Sequence, residues 1–170
     1  MKIEFVSGPL LPTTSPIAYV VNHDQFPASL ESVVVEGAKA SRFGGKAGQL
    51  HETFVSRDGV VARIAIAGAG APNAQDRGAA LEKAGAAITA KYLASGENTV
   101  TIDFAGAGLS ASEVASVLLG ARLRGWRYDK YRTTMPADQK ATLTTVRVAG
   151  APSGTEAAWS VEAGLADGIE

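Results

Sequence analysis

Apolar and polar positions alternate from Lys2 to Val6, with Ile3 and Phe5 on one side, and a second apolar run occupies Ile17 to Val21 after a Pro- and Thr-rich turn. Both segments read as strands. Asp24 stands where it could cap a helix beginning near Pro27, a residue tolerated in a first turn, and Leu30, Val33, Val34 and Gly37 would then share one face. The run Val33-Val34-Val35 would also suit a buried strand. A Gly-rich basic connector, Ser41 to Gly48, leads into two further strand patterns, Leu50 to Ser56 and Val60 to Ala67. Arg57-Asp58-Gly59 between them is a tight hairpin signal, which makes these two antiparallel neighbours.

Beyond the hairpin the pattern becomes strand, then helix, as in crossovers on a parallel sheet. Asn73 and Asp76 are spaced like a capping box before a helix whose buried stripe is Leu81, Ala84, Ile88 and Tyr92, ended by Gly96. Thr99 to Phe104 is a strand. Ser110 and Glu113 form a second box, after which Val114, Val117, Leu118 and Ala121 keep helical spacing until Gly125. Leu143 to Val148 is the last strand, and Ser153 with Glu156 opens a helix with Ala158, Val161 and Leu165 inward. The expectation is an α/β fold in one domain, residues 1–152, with 153–170 as the start of a connector helix. From Val148 to Glu170 there are four acids, Glu156, Glu162, Asp167 and Glu170, and no Lys or Arg. Helices ordinarily carry cations near their C-terminal end to offset the macrodipole, so this acidic end reads as a chain that continues.

Composition narrows the function classes. The 16 Lys+Arg nearly balance 17 Asp+Glu, so the molecule as a whole lacks the positive field of a non-specific nucleic-acid binder. With no Cys there are no disulfides, thiolate metal sites or cysteine nucleophile, which fits a cytoplasmic chain. The N-terminus lacks the apolar stretch of a signal peptide, and no run approaches the roughly 20 apolar residues of a membrane span, so a soluble protein without membrane partners is expected.

Three glycine constellations invite a nucleotide reading. Gly44-Gly45-Lys46 fails as a phosphate loop, because its first glycine would fall at Ala40 and the hydroxyl after the lysine is Ala47. Gly68-Ala69-Gly70 follows a strand and precedes a helix, yet its third position is Asn73. Gly106-Ala107-Gly108-Leu109-Ser110-Ala111 satisfies the relaxed dinucleotide pattern, with Asp129 as the acid some twenty residues on. Asp129 should end a second apolar strand, whereas Trp126-Arg127-Tyr128-Asp129-Lys130-Tyr131 is charged and aromatic. For Gly68-Ala69-Gly70 a strand-to-helix turn with close backbone approach is the preferred reading, and an isolated glycine pattern at Gly106 to Gly108 is weak support for a dinucleotide site. The two histidines, His23 and His51, are far apart and lack a metal-binding spacing, and Asp103 at a strand end has no partner acid. No nucleophile elbow or triad spacing occurs. Arg122 to Arg132 holds five cations with Trp126, Tyr128 and Tyr131 interleaved, which suits an interface better than a nucleic-acid groove.

That same segment carries a family resemblance. Leu118-Leu119-Gly120 followed by Trp126-Arg127-Tyr128-Asp129-Lys130-Tyr131-Arg132-Thr133 resembles the helix-end signature of the N-terminal domain of leucyl (cytosol) aminopeptidases. Arg42-Phe43-Gly44-Gly45-Lys46-Ala47-Gly48 is similar to the family's R-F-x-G-K-x-G connector. Two departures are Leu119, where relatives often carry an acid, and Trp126, where Tyr is commoner. The resemblance implies a macro-domain-like three-layer α/β/α sandwich with a mixed central sheet, ahead of a separate catalytic domain. It further implies a parent metallo-exopeptidase that removes N-terminal residues with two divalent ions, zinc or manganese, within a hexamer. The family's N-T-D-x-E-G-R catalytic block does not occur in this chain, so no catalytic, cofactor-binding or metal-ligating residue is assigned. The partners implied are the chain's own C-terminal catalytic domain and further copies of itself. The alternatives are a macro-like module binding a nucleotide or ADP-ribose at Gly68–Gly70 or Gly106–Gly108, and, more weakly, a nucleic-acid binder through Arg122 to Arg132.

Overall fold

The structure, a computed structural model, describes residues 1–8, 13–131 and 141–169, with the side chains of 126–131 and 165–169 outside the description. Strands β1 (Lys2–Phe5) and β2 (Ile17–Val21) precede helix α1 (Ser32–Ala40), and the hairpin β3 (Leu50–Arg57) and β4 (Val60–Gly68) follows. Then come α2 (Arg77–Tyr92), β5 (Thr99–Asp103), α3 (Ala111–Tyr131), β6 (Thr145–Ala149) and α4 (Thr155–Ile169). The six strands form one sheet in the order β1-β6-β5-β2-β4-β3. Every neighbouring pair is parallel except β3 with β4. Asp58 (φ 51°) and Gly59 (φ 80°) form the two-residue hairpin loop, whose positive φ angles match the twist of the flanking strands.

Strand alternation sends side chains to two cores. Ile17, Tyr19, Val21, Ile64 and Ile66 pack under Val34 and Ala38 of α1. Ala18, Val20, Ala65, Ala67, Val100, Ile102, Val146 and Val148 meet Leu81 and Ile88 of α2, Val114 and Val117 of α3, and Trp159 of α4 on the other face. The result is a three-layer α/β/α sandwich on a mixed sheet. Helices α2 and α3 cross at two glycines. A Cβ on Gly85 would overlap the Val117 carbonyl, and one on Gly120 would overlap the Glu82 carbonyl. Only hydrogen at these positions lets the two backbones meet. Among the described residues no helix is long and apolar enough to cross a membrane.

Several local expectations are corrected. Helix α1 starts at Ser32, after Glu31 and not Asp24. Pro27 belongs instead to a turn, with its carbonyl accepting the Leu30 N–H at 3.1 Å. The buried stripe is therefore Leu30, Val34 and Ala38, while Val33 is 64% exposed. Asp76 precedes α2 without a side-chain cap bond, so the Asn73–Asp76 box does not form, and the helix ends at Tyr92, before Gly96. Helix α3 runs through Gly125 to Tyr131, and Gly125 lies against Met1, whose Cε would be 3.2 Å from an added Cβ. The last strand is Thr145–Ala149, with Leu143 buried just ahead of it. Among the described residues of α4 the buried ones are Thr155 and Trp159, with Ala163 packed against the same core; Val161 is 69% exposed, and Leu165 lies outside the described side chains. The Thr155 hydroxyl donates to the Pro152 carbonyl at 2.6 Å, and no Ser153–Glu156 cap bond is made among the described residues.

Candidate functional site

The carboxyl ends of β2, β4 and β5 meet where crossovers diverge: the chain leaves β2 over the α1 face and leaves β5 by α3 on the opposite face. Open α/β sheets bind ligands at such a point, and all three glycine constellations converge on this rim. The question is whether its backbone donors are free.

They are mostly committed inside the fold. Connector 41–48 is wrapped round the Gln49 amide: Gly44 and Lys46 N–H donate to Gln49 Oε1 at 3.0 and 3.3 Å, and Gln49 Nε2 donates to the Arg42 carbonyl at 3.0 Å. Gly68 N–H donates to Gln49 O at 2.8 Å, Ala69 N–H to Val21 O at 2.8 Å, and Gly70 N–H to Gly45 O at 2.9 Å. A Cβ on Gly68 would overlap the Gly45–Lys46 backbone, and one on Gly45 would lie 2.8 Å from the Asn22 carbonyl. These glycines serve close backbone packing. They leave no phosphate cradle.

Helix α1 ends by the same logic. Arg42 has φ 63°, Phe43 N–H donates to Ala38 O at 2.9 Å, and Arg42 N–H donates to Lys39 O at 3.0 Å. This is a left-handed C-terminal cap, with Phe43 and Ala38 buried as its apolar contact.

Beyond β5, Ser110 and Glu113 make the expected capping box, Ser110 N–H donating to Glu113 Oε1 at 3.0 Å and Glu113 N–H to Ser110 Oγ at 3.2 Å. The positive end of α3 is thus already met by a carboxylate of its own. Asp129 falls within α3 and not at a strand end, so the acid that a dinucleotide site requires is missing from its place. The cavity bounded by Val21, Gln25, Phe26, Pro27 and Gly106 to Gly108 has a volume of about 190 Å³. Pockets for drug-sized ligands run to roughly 300–1,000 Å³, so this cavity falls below that range.

The rim's central side chain is one that sequence spacing did not single out. Arg77, at the start of α2, donates to Glu113 Oε2 at 2.9 Å, to the Ala69 carbonyl at 2.9 Å and to Asn22 Oδ1 at 2.5 Å. It ties together the ends of β2 and β4 and the start of α3. Burial would raise the Glu113 pKa, but the Ser110 amide and the Arg77 guanidinium together hold it below the ordinary carboxylate value. Asn22 is buried and could not lose this partner to water.

Two further ion pairs brace the hairpin. Arg57 grips Glu31 through two bonds of 2.8 Å and donates to the Tyr19 hydroxyl at 2.9 Å. Hydrogen bonding from Arg57 outweighs burial and lowers the Glu31 pKa. On the other face Arg63 donates to Glu52 at 2.7 Å and the Tyr92 hydroxyl donates to the same oxygen at 2.8 Å. Burial, reinforced by Glu52, raises the Tyr92 pKa. Burial works against the Glu52 charge too, but Arg63, Tyr92 and Lys91 lower its pKa overall.

The remaining candidates do not assemble. His23 lies 3.4 Å from Asp24 at the exposed rim, whereas the His51 ring stands 6.3 Å from Phe43 on β3. Asp103 Oδ1 accepts the Ala105 N–H at 3.0 Å, a local turn bond. Among the described residues no group of three His, Cys, Asp or Glu could hold a metal ion. Trp126 to Thr133 falls outside the described side chains, as does most of the Arg122 to Arg132 segment.

Comparison with known proteins adds an independent line. The sequence pattern of the cytosol aminopeptidase family, N-terminal domain, matches residues 13–135. A protein of Chelativorans sp. (strain BNC1) named a probable cytosol aminopeptidase is 33% identical over 136 residues, covering 76% of this chain and 26% of its own. The same name is carried by a Caulobacter vibrioides protein, 28% identical over 179 residues, 99% of this chain and 36% of the relative. The chain thus spans about a quarter to a third of these relatives' length. Among solved structures, a tomato leucine aminopeptidase variant matches 99% of this chain and 36% of its own at TM-score 0.71 and 16% identity. The bottromycin maturation enzyme BotP, in complex with Mn, matches 91% of this chain and 30% of its own at TM-score 0.63 and 23% identity. These structures share the fold.

Proposed function

Because the chain belongs to the cytosol aminopeptidase family, as its N-terminal domain, we propose that it is the non-catalytic, architectural part of a leucyl-aminopeptidase-type metallo-exopeptidase. The observation that carries this reading is the rim where an α/β sheet would ordinarily bind a ligand. In this chain it is filled by Arg77, Asn22 and Glu113 and strapped by the Arg42 to Gly48 connector. A site built to be used keeps donors free; this one spends them on rigidity. The described residues offer no ligand set for a metal, so they do not fit one. The two divalent ions, zinc or manganese, belong to a catalytic domain beyond this module, in keeping with the Mn in the BotP structure. Residues 1–152 form the domain proper, and α4 leads toward that catalytic domain. The parent removes N-terminal amino acids from peptides in the cytoplasm as a homo-hexamer that this module helps to hold.

The architectural role is tested in the Caulobacter vibrioides relative, whose matching segment covers nearly all of this chain. Deleting the part equivalent to 1–152 is expected to lower the number of protomers per assembly, taken as the light-scattering mass divided by the mass of the shortened protomer. An unchanged assembly with unchanged activity would overturn the role.

A further inference from the structure

Helices α2 and α3 run in the same direction, with Arg77 meeting Glu113 near their starts and Thr89 bonded to the Ala121 carbonyl further along. Gly120 brings them together, since a Cβ there would overlap the Glu82 carbonyl. Beside that contact, on the solvent side, lies a groove of about 250 Å³. Ala79, Ala86, Gly120 and Leu123 give it an apolar lining, and Glu82, Lys83 and Arg124 add charge.

These charges are not spent on one another. Arg57, Arg63 and Arg77 each close on a carboxylate. Arg124 is half-buried and shares its groove with Glu82, yet among the described residues neither makes an ion pair or a side-chain hydrogen bond, nor does Lys83. The reason is spacing. Glu82 belongs to the turn that faces Gly120, and Arg124 stands one helical turn beyond Gly120, about 5.4 Å along the axis. Burial raises the Glu82 pKa and Glu162 of α4 adds to the rise, as befits a carboxylate with no cation against it. The groove therefore has a negative end at Glu82, reinforced by Glu162, and a positive end at Arg124 and Lys83.

We propose that this groove binds a free α-amino acid with a small aliphatic side chain. The ammonium donates to the Glu82 carboxylate, Arg124 donates to the ligand carboxylate with Lys83 beside it, and the side chain lies on Ala86 and Leu123. Charge complementarity selects this ligand. A lone anion would gain Arg124 and Lys83 but face Glu82 and Glu162, and a lone amine would meet the reverse. The charges at the groove cancel in pairs, so the ligand they suit is neutral overall and dipolar, with its two charged groups close enough to bridge about one turn. Size agrees: drug-sized ligands take roughly 300–1,000 Å³, and this groove is smaller. Such binding neither needs nor excludes the architectural role of the module.

Titration of L-leucine into the isotope-labelled 170-residue chain is expected to move the amide signals of Gly120, Leu123 and Arg124, saturating in the millimolar range. Leucine amide, which lacks the carboxylate, and N-acetyl-leucine, which lacks the ammonium, should each bind about tenfold more weakly, as loss of a charge-assisted bond implies. Arg124→Gln should cost leucine a similar factor and leave leucine amide unchanged. Glu82→Gln should do the same for leucine and leave N-acetyl-leucine unchanged. A variant that misfolds would lose all three ligands alike, and the ranking of the three by the native chain needs no variant. Each of three results overturns the proposal: no movement of these amides up to tens of millimolar leucine, equal binding of the three ligands by the native chain, or leucine binding that both variants retain in full.

Discussion

Substituting Gly85 by alanine adds one methyl group where α2 meets α3. That methyl would overlap the Val117 carbonyl oxygen and come within 2.9 Å of both the Val117 carbonyl carbon and the Ala121 nitrogen. The obstruction is backbone, so no rotamer change relieves it. The helix carrying it is pinned, since Val114, Val117, Leu118 and Ala121 are all fully buried. The helices must separate, which weakens the contact at Gly120 and strains the bond from the Thr89 hydroxyl to the Ala121 carbonyl at 3.0 Å. Overpacking costs about 1–3 kcal/mol, and a pinned backbone obstacle puts this case at the upper end even after the helix-propensity gain of about 1 kcal/mol from Gly to Ala. For a domain of this size about 3 kcal/mol corresponds to a fall in Tm of roughly 6–12 °C. Gly37→Ala supplies the internal control, because a Cβ there meets nothing within 4 Å. It should gain about 0.5–1 kcal/mol and melt slightly higher. Thermal melts followed by circular dichroism, checked by urea midpoints, measure both. If the two variants shifted in the same direction, or Gly85→Ala melted with the native chain, the close crossing of α2 and α3 would be wrong.

Arg42→Gly should stabilise the domain by about 1 kcal/mol, since a left-handed conformation penalises every side chain and glycine escapes it; a lower urea midpoint would count against the cap. Arg77→Ala should cost about 1–3 kcal/mol, because the buried Asn22 amide and the Ala69 carbonyl lose their donor, and Arg77→Lys should recover only part of that in denaturant titrations. Acid should weaken the fold. The Glu31, Glu52 and Glu113 pKa values are lowered in the native state, so their stabilisation is present above the unfolded carboxylate range and is lost as pH falls through the native values. Glu82 has the opposite sign. Burial, with a contribution from Glu162, raises its pKa, so its favourable contribution lies below the unfolded value and disappears as pH rises through the native one. Glu82→Gln should therefore raise the guanidinium midpoint at pH 7, with the difference vanishing in acid; an equal difference at both pH values would refute the assignment.

Much of the fold was legible in residue patterning because its strands are short, apolar and bounded by strong turn signals. The segments at Ile17–Val21 and Thr99–Asp103, the Arg57-Asp58-Gly59 hairpin and the Leu81, Ala84, Ile88, Tyr92 stripe all stand where alternation or helical spacing puts them. In two helices part of the predicted stripe was wrong, Val33 in α1 and Val161 in α4, while Leu30 and Val34 are buried as expected. In α1 and α4 alanine, glycine and serine dilute the periodic signal, and the anchors that decide the phase, Ala38 and Trp159, lie off the apparent apolar stripe. The rim was found through its glycines but its content was not. Asn22, Arg77 and Glu113 are tens of residues apart, and local spacing says nothing about groups that only a parallel sheet brings together. Glycine motifs are ambiguous for the same reason. A turn that cradles a phosphate and a turn that packs against another backbone need the same residue, and only the destination of the N–H groups separates them.

The central claim is that this module carries structure and leaves the chemistry to a separate domain. It is tested most directly by incubating the purified 170-residue chain with leucine amide and excess manganese or zinc and measuring the released leucine. The account predicts no release above the metal-only control; turnover that depends on the protein and is abolished by a chelator would contradict it.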